Sequence, residues 1–428
     1  MGAKSNNMTS RKVFLQQAGL ALFSIGVGGV PTFLAKAAGS GKVFRPYKKN
    51  KTLVFIFQRG AMDGLMAVAP FTDLFLKAAR PTIFMDAAKT GTVKPLIDLD
   101  GRFGLHPGMA AFENLFKEKR LAIVHGMGSP NNTRSHFDAQ DYMESGTPFN
   151  KGTASGWLNR AVGLLGHEAA TPFRAVSVTS SLPRSFYGDN EAIAIGNLQD
   201  FSIQLKGNAM GANAAAKSFE DLYDQTTSSL LNKTGKESFD AIKILNKADV
   251  KNYRPANGVI YPNGPLGNSL KQIAQLIKMD VGLEVAFAES GGWDTHFNQG
   301  TDNGGFARNV ADLSNSMAAF WKDVEAMQDD ITLMTTTEFG RTVKQNGTGG
   351  TDHGRASCAF ILGNNVQGGK VHGSVQPLSK ENLADGRDLA VTTDFRSIFS
   401  EVADAHLKIN DDKKLFPDWT GEKIGVMK

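Results

Sequence analysis

Thr52-Leu53-Val54-Phe55-Ile56-Phe57 is a continuous apolar run rich in β-branched and aromatic residues, and it is followed at once by the polar, glycine-bearing stretch Gln58-Arg59-Gly60-Ala61-Met62-Asp63-Gly64. A strand that does not alternate apolar with polar is one covered on both faces, which is the habit of a parallel sheet sandwiched between helices. The same arrangement recurs at 121–125, 174–179, 283–288, 331–336 and 358–362. Amphipathic stretches near 108–118 and 306–327 stand between some of these runs, and a helix is expected to begin near Phe137. Strand, helix, strand in alternation predicts an α/β fold: a mostly parallel central sheet with helices on both faces.

Working outward from that core, 428 residues of which 41% are hydrophobic can bury a large interior. The formal charge of +5 includes Lys4, Arg11, Lys12 and Lys36, and the first 37 residues hold no acid. Removing those four leaves +1, so the remainder lacks the basic footprint of a nucleic-acid-binding protein. A single cysteine, Cys358, rules out an intramolecular disulfide. Ser10-Arg11-Lys12-Val13-Phe14-Leu15-Gln16 stands before an apolar stretch and the small-x-small site Ala35-Lys36-Ala37, which reads as a signal peptide over residues 1–37. It is similar to the twin-arginine export signal, with Lys12 in place of the second arginine. The expectation is therefore a periplasmic or otherwise exported protein with no stable membrane span after processing. Residues 38–428 are expected to form one domain, carrying a more polar helical insert at about 197–250.

In open α/β sheets ligands gather beyond the carboxyl ends of the strands. The residues found there are Asp63 after the first run, Thr133-Arg134-Ser135 after the second, Asp294 and His296 after the fourth, and Glu338, Arg341, Asp352 and His353 after the fifth. Carboxylates and imidazoles gathered this way suit zinc, manganese or iron in a hydrolytic centre, zinc or manganese above all. Each also has a plainer reading. An aspartate after a strand is commonly a turn former, Ser135 or Thr133 can be a helix N-cap, and Arg134 or Arg341 can be a salt-bridge partner rather than a fork for an anionic oxygen.

Six ordered pieces carry a resemblance across nearly all of the mature chain. They are Arg59-Gly60-Ala61-Met62-Asp63-Gly64-Leu65, Phe103-Gly104-Leu105-His106-Pro107, Arg134-Ser135-His136-Phe137-Asp138-Ala139-Gln140-Asp141, Gly291-Gly292-Trp293-Asp294-Thr295-His296, Thr337-Glu338-Phe339-Gly340-Arg341 and Thr351-Asp352-His353-Gly354. With these the chain resembles an exported bacterial family known only as domain of unknown function 1501, grouped with the alkaline phosphatase and sulfatase superfamily. The resemblance implies an alkaline phosphatase-like fold and a site of as many as two divalent ions. Asp63, Asp294, His296, Glu338, Asp352 and His353 would be the ligands, and Ser135 or Thr133 the nucleophile. The chain departs from the superfamily pattern in two places: Glu338-Phe339 stands where an Asp-His pair is expected, and Asp294 and His296 are closer together than the usual pair.

Two functions follow as expectations. One is a metal-dependent hydrolase of a small anionic ester, phosphate or sulfate, with Arg134 and Arg341 offsetting charge. The other is a catalytically degenerate member that binds or assembles with a protein partner. A nucleotide-dependent oxidoreductase is disfavoured, because no strand is followed by a glycine fingerprint opening a helix.

Overall fold

A computed structural model describes residues 50–89, 91–169, 171–199 and 253–428. The expected signal peptide lies outside the described residues, as does all but the first three positions of the expected insert at 197–250.

The run at Thr52–Gln58 is a strand at the middle of a nine-stranded sheet, and all seven of its residues are buried. Val285–Ser290 lies beside it on one side and Ile331–Thr337 on the other, both parallel to it. Beyond Val285–Ser290 come Ala175–Ser177 and Ile193–Ala194, again parallel. Beyond Ile331–Thr337 comes Ser357–Gly363, antiparallel to both of its neighbours, and then Leu121–Gly128. Short strands at Val371–His372 and Thr393–Asp394 both pair parallel with Leu121–Gly128. Each of the six runs read from the sequence is thus a strand of this sheet.

Alternation along the central strand explains the layers. Val54 and Ile56 enter one apolar cluster with residues of the helices Pro265–Lys278 and Gly305–Asp323. Leu53, Phe55 and Phe57 enter the other, with residues of Trp157–Leu164 and Phe395–Leu407. Phe55 meets Trp157 and Phe399 edge-on at ring separations of 5.2 and 5.3 Å. Burial on both faces by helices is the arrangement that makes a continuous apolar strand stable.

Two consequences place the site. Gln58 is level with both Ser290 and Thr337, so three neighbouring strands end together and their loops emerge side by side. The antiparallel strand Ser357–Gly363 begins at that same edge, so residues just before it, Asp352 and His353, arrive where the parallel strands finish. The segment between Arg341 and His353, which reads from sequence as a glycine-rich loop, is a hairpin pairing Arg341–Gln345 with Thr351–His353. Its glycines fit a tight reversal; a Cβ on Gly350 would stand 2.3 Å from the His296 carbonyl oxygen.

Candidate metal centre

His136 is the first residue of the helix His136–Ser145, which Ser135 caps by accepting the Asp138 N–H at 3.5 Å and Gly146 ends in a left-handed turn at φ 71°. This fixes the imidazole at the mouth of the sheet. His136 Nε2 lies 3.0 Å from His353 Nε2 and 3.5 Å from Asp294 Oδ1, and His353 Nε2 lies 3.2 Å from Asp294 Oδ1. On the far side of the same pair stands His296, whose Nε2 is 2.8 Å from His353 Nε2 and 3.1 Å from Asp294 Oδ1. Phe339, nearly buried, packs its ring 4.9 Å from that of His136 and 5.0 Å from that of His353.

Each ring is held from behind. His136 Nδ1 is 2.8 Å from Glu338 Oε1, His296 Nδ1 is 3.0 Å from Asp352 Oδ1, and His353 Nδ1 is 2.9 Å from the Arg134 carbonyl oxygen. A carbonyl or an ionised carboxylate can only accept, so each Nδ1 carries the hydrogen and each neutral ring turns a bare Nε2 lone pair inward. Charge keeps it so. Burial pushes the Glu338 carboxyl up, but hydrogen bonds from His136, Gln140, its own backbone and Gly60 together hold it below the ordinary range. Asp352 is lowered first by Asn346 and then by His296. The hydrogen bond to Glu338 raises His136, whereas burial, followed by Arg341 and His136, lowers His353.

His136, Asp294 and His353 therefore form a set that could hold a metal ion, with ligand atoms all within 4.8 Å of one another. The fit can be tested on edge lengths. Ligands about 2.0–2.2 Å from a tetrahedral zinc stand about 3.3–3.6 Å apart, and the three edges here are 3.0, 3.2 and 3.5 Å. The donor set, imidazoles with a carboxylate and an acceptor behind every ring, is that of zinc sites generally. The site is open, for the side chains of His136 and His353 are 24% exposed and that of Asp294 48%.

The other residues singled out in the sequence fall in different places. Asp63 is fully buried; its oxygens accept from Arg80 at 2.8 and 3.1 Å and from Gln299 at 2.8 Å, so its charge is spent on a buried ion pair and not offered to the cluster. Glu338 and Asp352 stand behind the histidines as their orienting acceptors, not in front as ligands. Arg341 donates to the carbonyl oxygens of Gly60, Ala61, Trp293 and Thr351, and to Asp294 Oδ1 at 2.5 Å. Burial pushes Asp294 up, but Arg341 outweighs it and lowers the group. Arg134 is engaged by Asp385 and Asp388. Neither guanidinium is an unpartnered fork for an anion. Thr133 accepts the Ser135 N–H within its own turn, and Ser135 is the exposed hydroxyl beside His136.

Sequence reasoning missed His136, although the motif Arg134-Ser135-His136 had been singled out for its hydroxyl and its arginine. The available signal was an imidazole at the first position of a helix that opens at a strand's carboxyl end. Gln140, which donates to Glu338 at 2.9 Å, and Gln299 left no such signal.

The family model described as "Protein of unknown function (DUF1501)" matches residues 50–418, most of the chain. The chain belongs to this family. No curated protein matches the sequence. Among solved structures, the C-terminal periplasmic domain of EptC from Escherichia coli, in complex with Zn, is similar at 11% identity and a TM-score of 0.33, over 79% of this chain and 77% of that one. The likeness is loose. Among the described residues no helix is long and apolar enough to cross a membrane.

Proposed function

We propose that this family member is an exported, metal-dependent hydrolase of phosphate or sulfate esters, with its ion held by His136, Asp294 and His353 and with His296 beside them. One observation carries the reading: His353 Nε2 and Asp294 Oδ1 each face the Nε2 atoms of His136 and His296 at 2.8–3.5 Å, with every Nδ1 tied back to an acceptor. Electron-rich atoms held that closely repel unless a proton is shared between them or a metal cation sits among them, and a divalent ion satisfies all of them at once. An imidazole nitrogen has one lone pair, so His353 can serve only one ion. The two triangles that share His353 and Asp294 therefore call for one ion per chain, where the superfamily resemblance implies as many as two. Zinc suits such a set better than manganese, which favours oxygen ligands.

A divalent ion held at this place would supply Lewis acidity toward an anionic ester oxygen. Glu338, Asp352 and the Arg134 carbonyl hold the rings in their tautomer, and Arg341 fixes Asp294. Ser135, exposed and adjacent to His136, is the hydroxyl that would take the phosphoryl or sulfuryl group, its proton passing to the departing alkoxide, and water would then cleave the seryl ester to release the inorganic anion and restore the hydroxyl. Export rests on the segment Ser10–Gln16 and Ala35–Ala37, with the twin-arginine route favoured because it would carry a folded, metal-loaded protein.

One observation favours the second reading, a metal-bearing binding or assembly protein without turnover: Arg134 and Arg341 are both committed to internal partners. A panel of phosphate and sulfate esters, assayed with zinc-loaded and chelator-stripped protein, separates the two. Zinc-dependent turnover of any ester supports the hydrolase; a loaded protein inert to the whole panel, with a stable partner in pull-downs, overturns it.

A further inference from the structure

Gln299 is fully buried where three loops meet. Its Nε2 donates to Asp63 Oδ2 at 2.8 Å, and its Oε1 accepts from the hydroxyls of Thr295 at 2.9 Å and Thr351 at 2.7 Å. A carboxylate cannot donate, so Asp63 draws the NH2 end of the amide toward itself and forces the oxygen toward the two threonines. Asp63 is in turn gripped by Arg80, which also donates to the carbonyl oxygens of Thr342 and Val343 at 2.9 Å each. Both carbonyls belong to the hairpin strand that pairs with Thr351–His353.

The two threonines are placed in a telling way. Thr295 lies between Asp294 and His296, and Thr351 lies two residues before His353. The Thr351 N–H donates to the Thr295 carbonyl at 3.2 Å, so the two segments already touch through backbone, and Gln299 Oε1 ties them a second time through side chains. We infer that Asp63 and Gln299 are positioning residues of the metal centre: together they set the spacing between the segment bearing Asp294 and His296 and the strand bearing His353. This rests on the metal reading proposed above. It also gives Asp63 a role at the site without contact to the ion.

A purely structural role would lower thermal stability and leave the folded site unchanged, so the test reads the site itself. In the full-length protein, Gln299→Leu removes both ends of the tie, and Thr351→Val removes one hydroxyl while keeping the side chain's shape. Zinc affinity is measured by competition with a chelator, and histidine ring signals are followed by 1H–15N correlation spectra of the metal-free proteins. The expected result is zinc affinity weaker by about 10- to 100-fold in Gln299→Leu, the range seen when support behind ligands is lost, and by less in Thr351→Val. The ring signals of His296 and His353 should shift while that of the core residue His406, on the far helix layer, stays. Wild-type zinc affinity and unshifted site rings in both variants, with only the melting temperature lowered, would overturn the inference. Should Gln299→Leu fail to fold, the same comparison on Thr351→Val decides. If the unmodified protein takes up no zinc, the metal reading itself falls, whereas unmoved rings in the variants reject the positioning role alone.

Discussion

Two aspartates, Asp63 and Asp294, follow the carboxyl ends of two adjacent parallel strands, yet they do opposite things. Asp63 is closed off from solvent against Arg80, while the Asp294 side chain is 48% exposed amid three imidazoles. Position after a strand thus delivers a carboxylate to that edge of the sheet but does not assign its work. The partner assigns it, and Arg80, seventeen residues beyond Asp63, comes from a different turn of chain. A buried ion pair is costly to break because the survivor is left charged in a poor solvent; losing Asp294 also strands a buried partner, Arg341, but one that keeps four carbonyl acceptors beside a water-accessible opening.

The largest expected effect follows directly. Asp63→Ala should cost about 3–5 kcal/mol of folding stability by leaving Arg80 unpaired, and Asp294→Ala less, because water reaches the vacated place and Arg341, although buried, keeps four carbonyl acceptors, both read by chemical denaturation of metal-free protein. Equal losses would erase the distinction. Zinc binding should show the reverse order of directness, with Asp294→Ala abolishing stoichiometric uptake. Glu338→Gln, which keeps the shape but loses the anionic acceptor behind His136, should weaken uptake by about 10- to 100-fold in chelator competition; an unchanged affinity would remove Glu338 from the account.

Histidines sharpen the same contrast between interior and site. Burial holds His125 and His406 down to about 4, while the hydrogen bond to Glu338 raises His136 above 6.5. For the two core residues the unfolded chain takes up protons first, so their contribution weakens stability as pH falls from 6.5 toward about 4. For His136 the sign is opposite: its contribution in metal-free protein is complete below 6.5 and disappears as pH rises through its folded-state value. Because a proton and a metal compete for Nε2, zinc affinity should begin to fall at a pH above the ordinary histidine range. An NMR titration showing His136 ionising with or below free histidine would contradict this.

The smallest stability change expected is for Ser135→Ala. Its cap hydrogen bond is long at 3.5 Å, so the loss should lie near the low end of about 0.5–2 kcal/mol. Zinc binding should survive and ester turnover should not; turnover that persists would return Ser135 to a capping role only.

The sheet was legible because its strands are unbroken apolar runs, a pattern that little besides burial on both faces explains. The hairpin Arg341–Gln345 with Thr351–His353 was not, since asparagine and glycine between two short polar strands leave no apolar period to read. At the site, residue types were legible and assignments were not. Asp294, His296 and His353 lie together, while Glu338 and Asp352 stand behind the rings and Asp63 and Arg341 are in buried pairings. Those outcomes depend on contacts between residues far apart in sequence, 202 positions for His136 and Glu338, which local pattern cannot encode.

The account depends above all on a cation among the inward-facing nitrogens. The most direct measurement is anomalous diffraction at the zinc edge from crystals of the mature protein grown with zinc. The account expects one peak per chain, about 2.0–2.2 Å from His136 Nε2, His353 Nε2 and Asp294 Oδ1. No peak there, with the same atoms hydrogen-bonded to one another or to water, would contradict it.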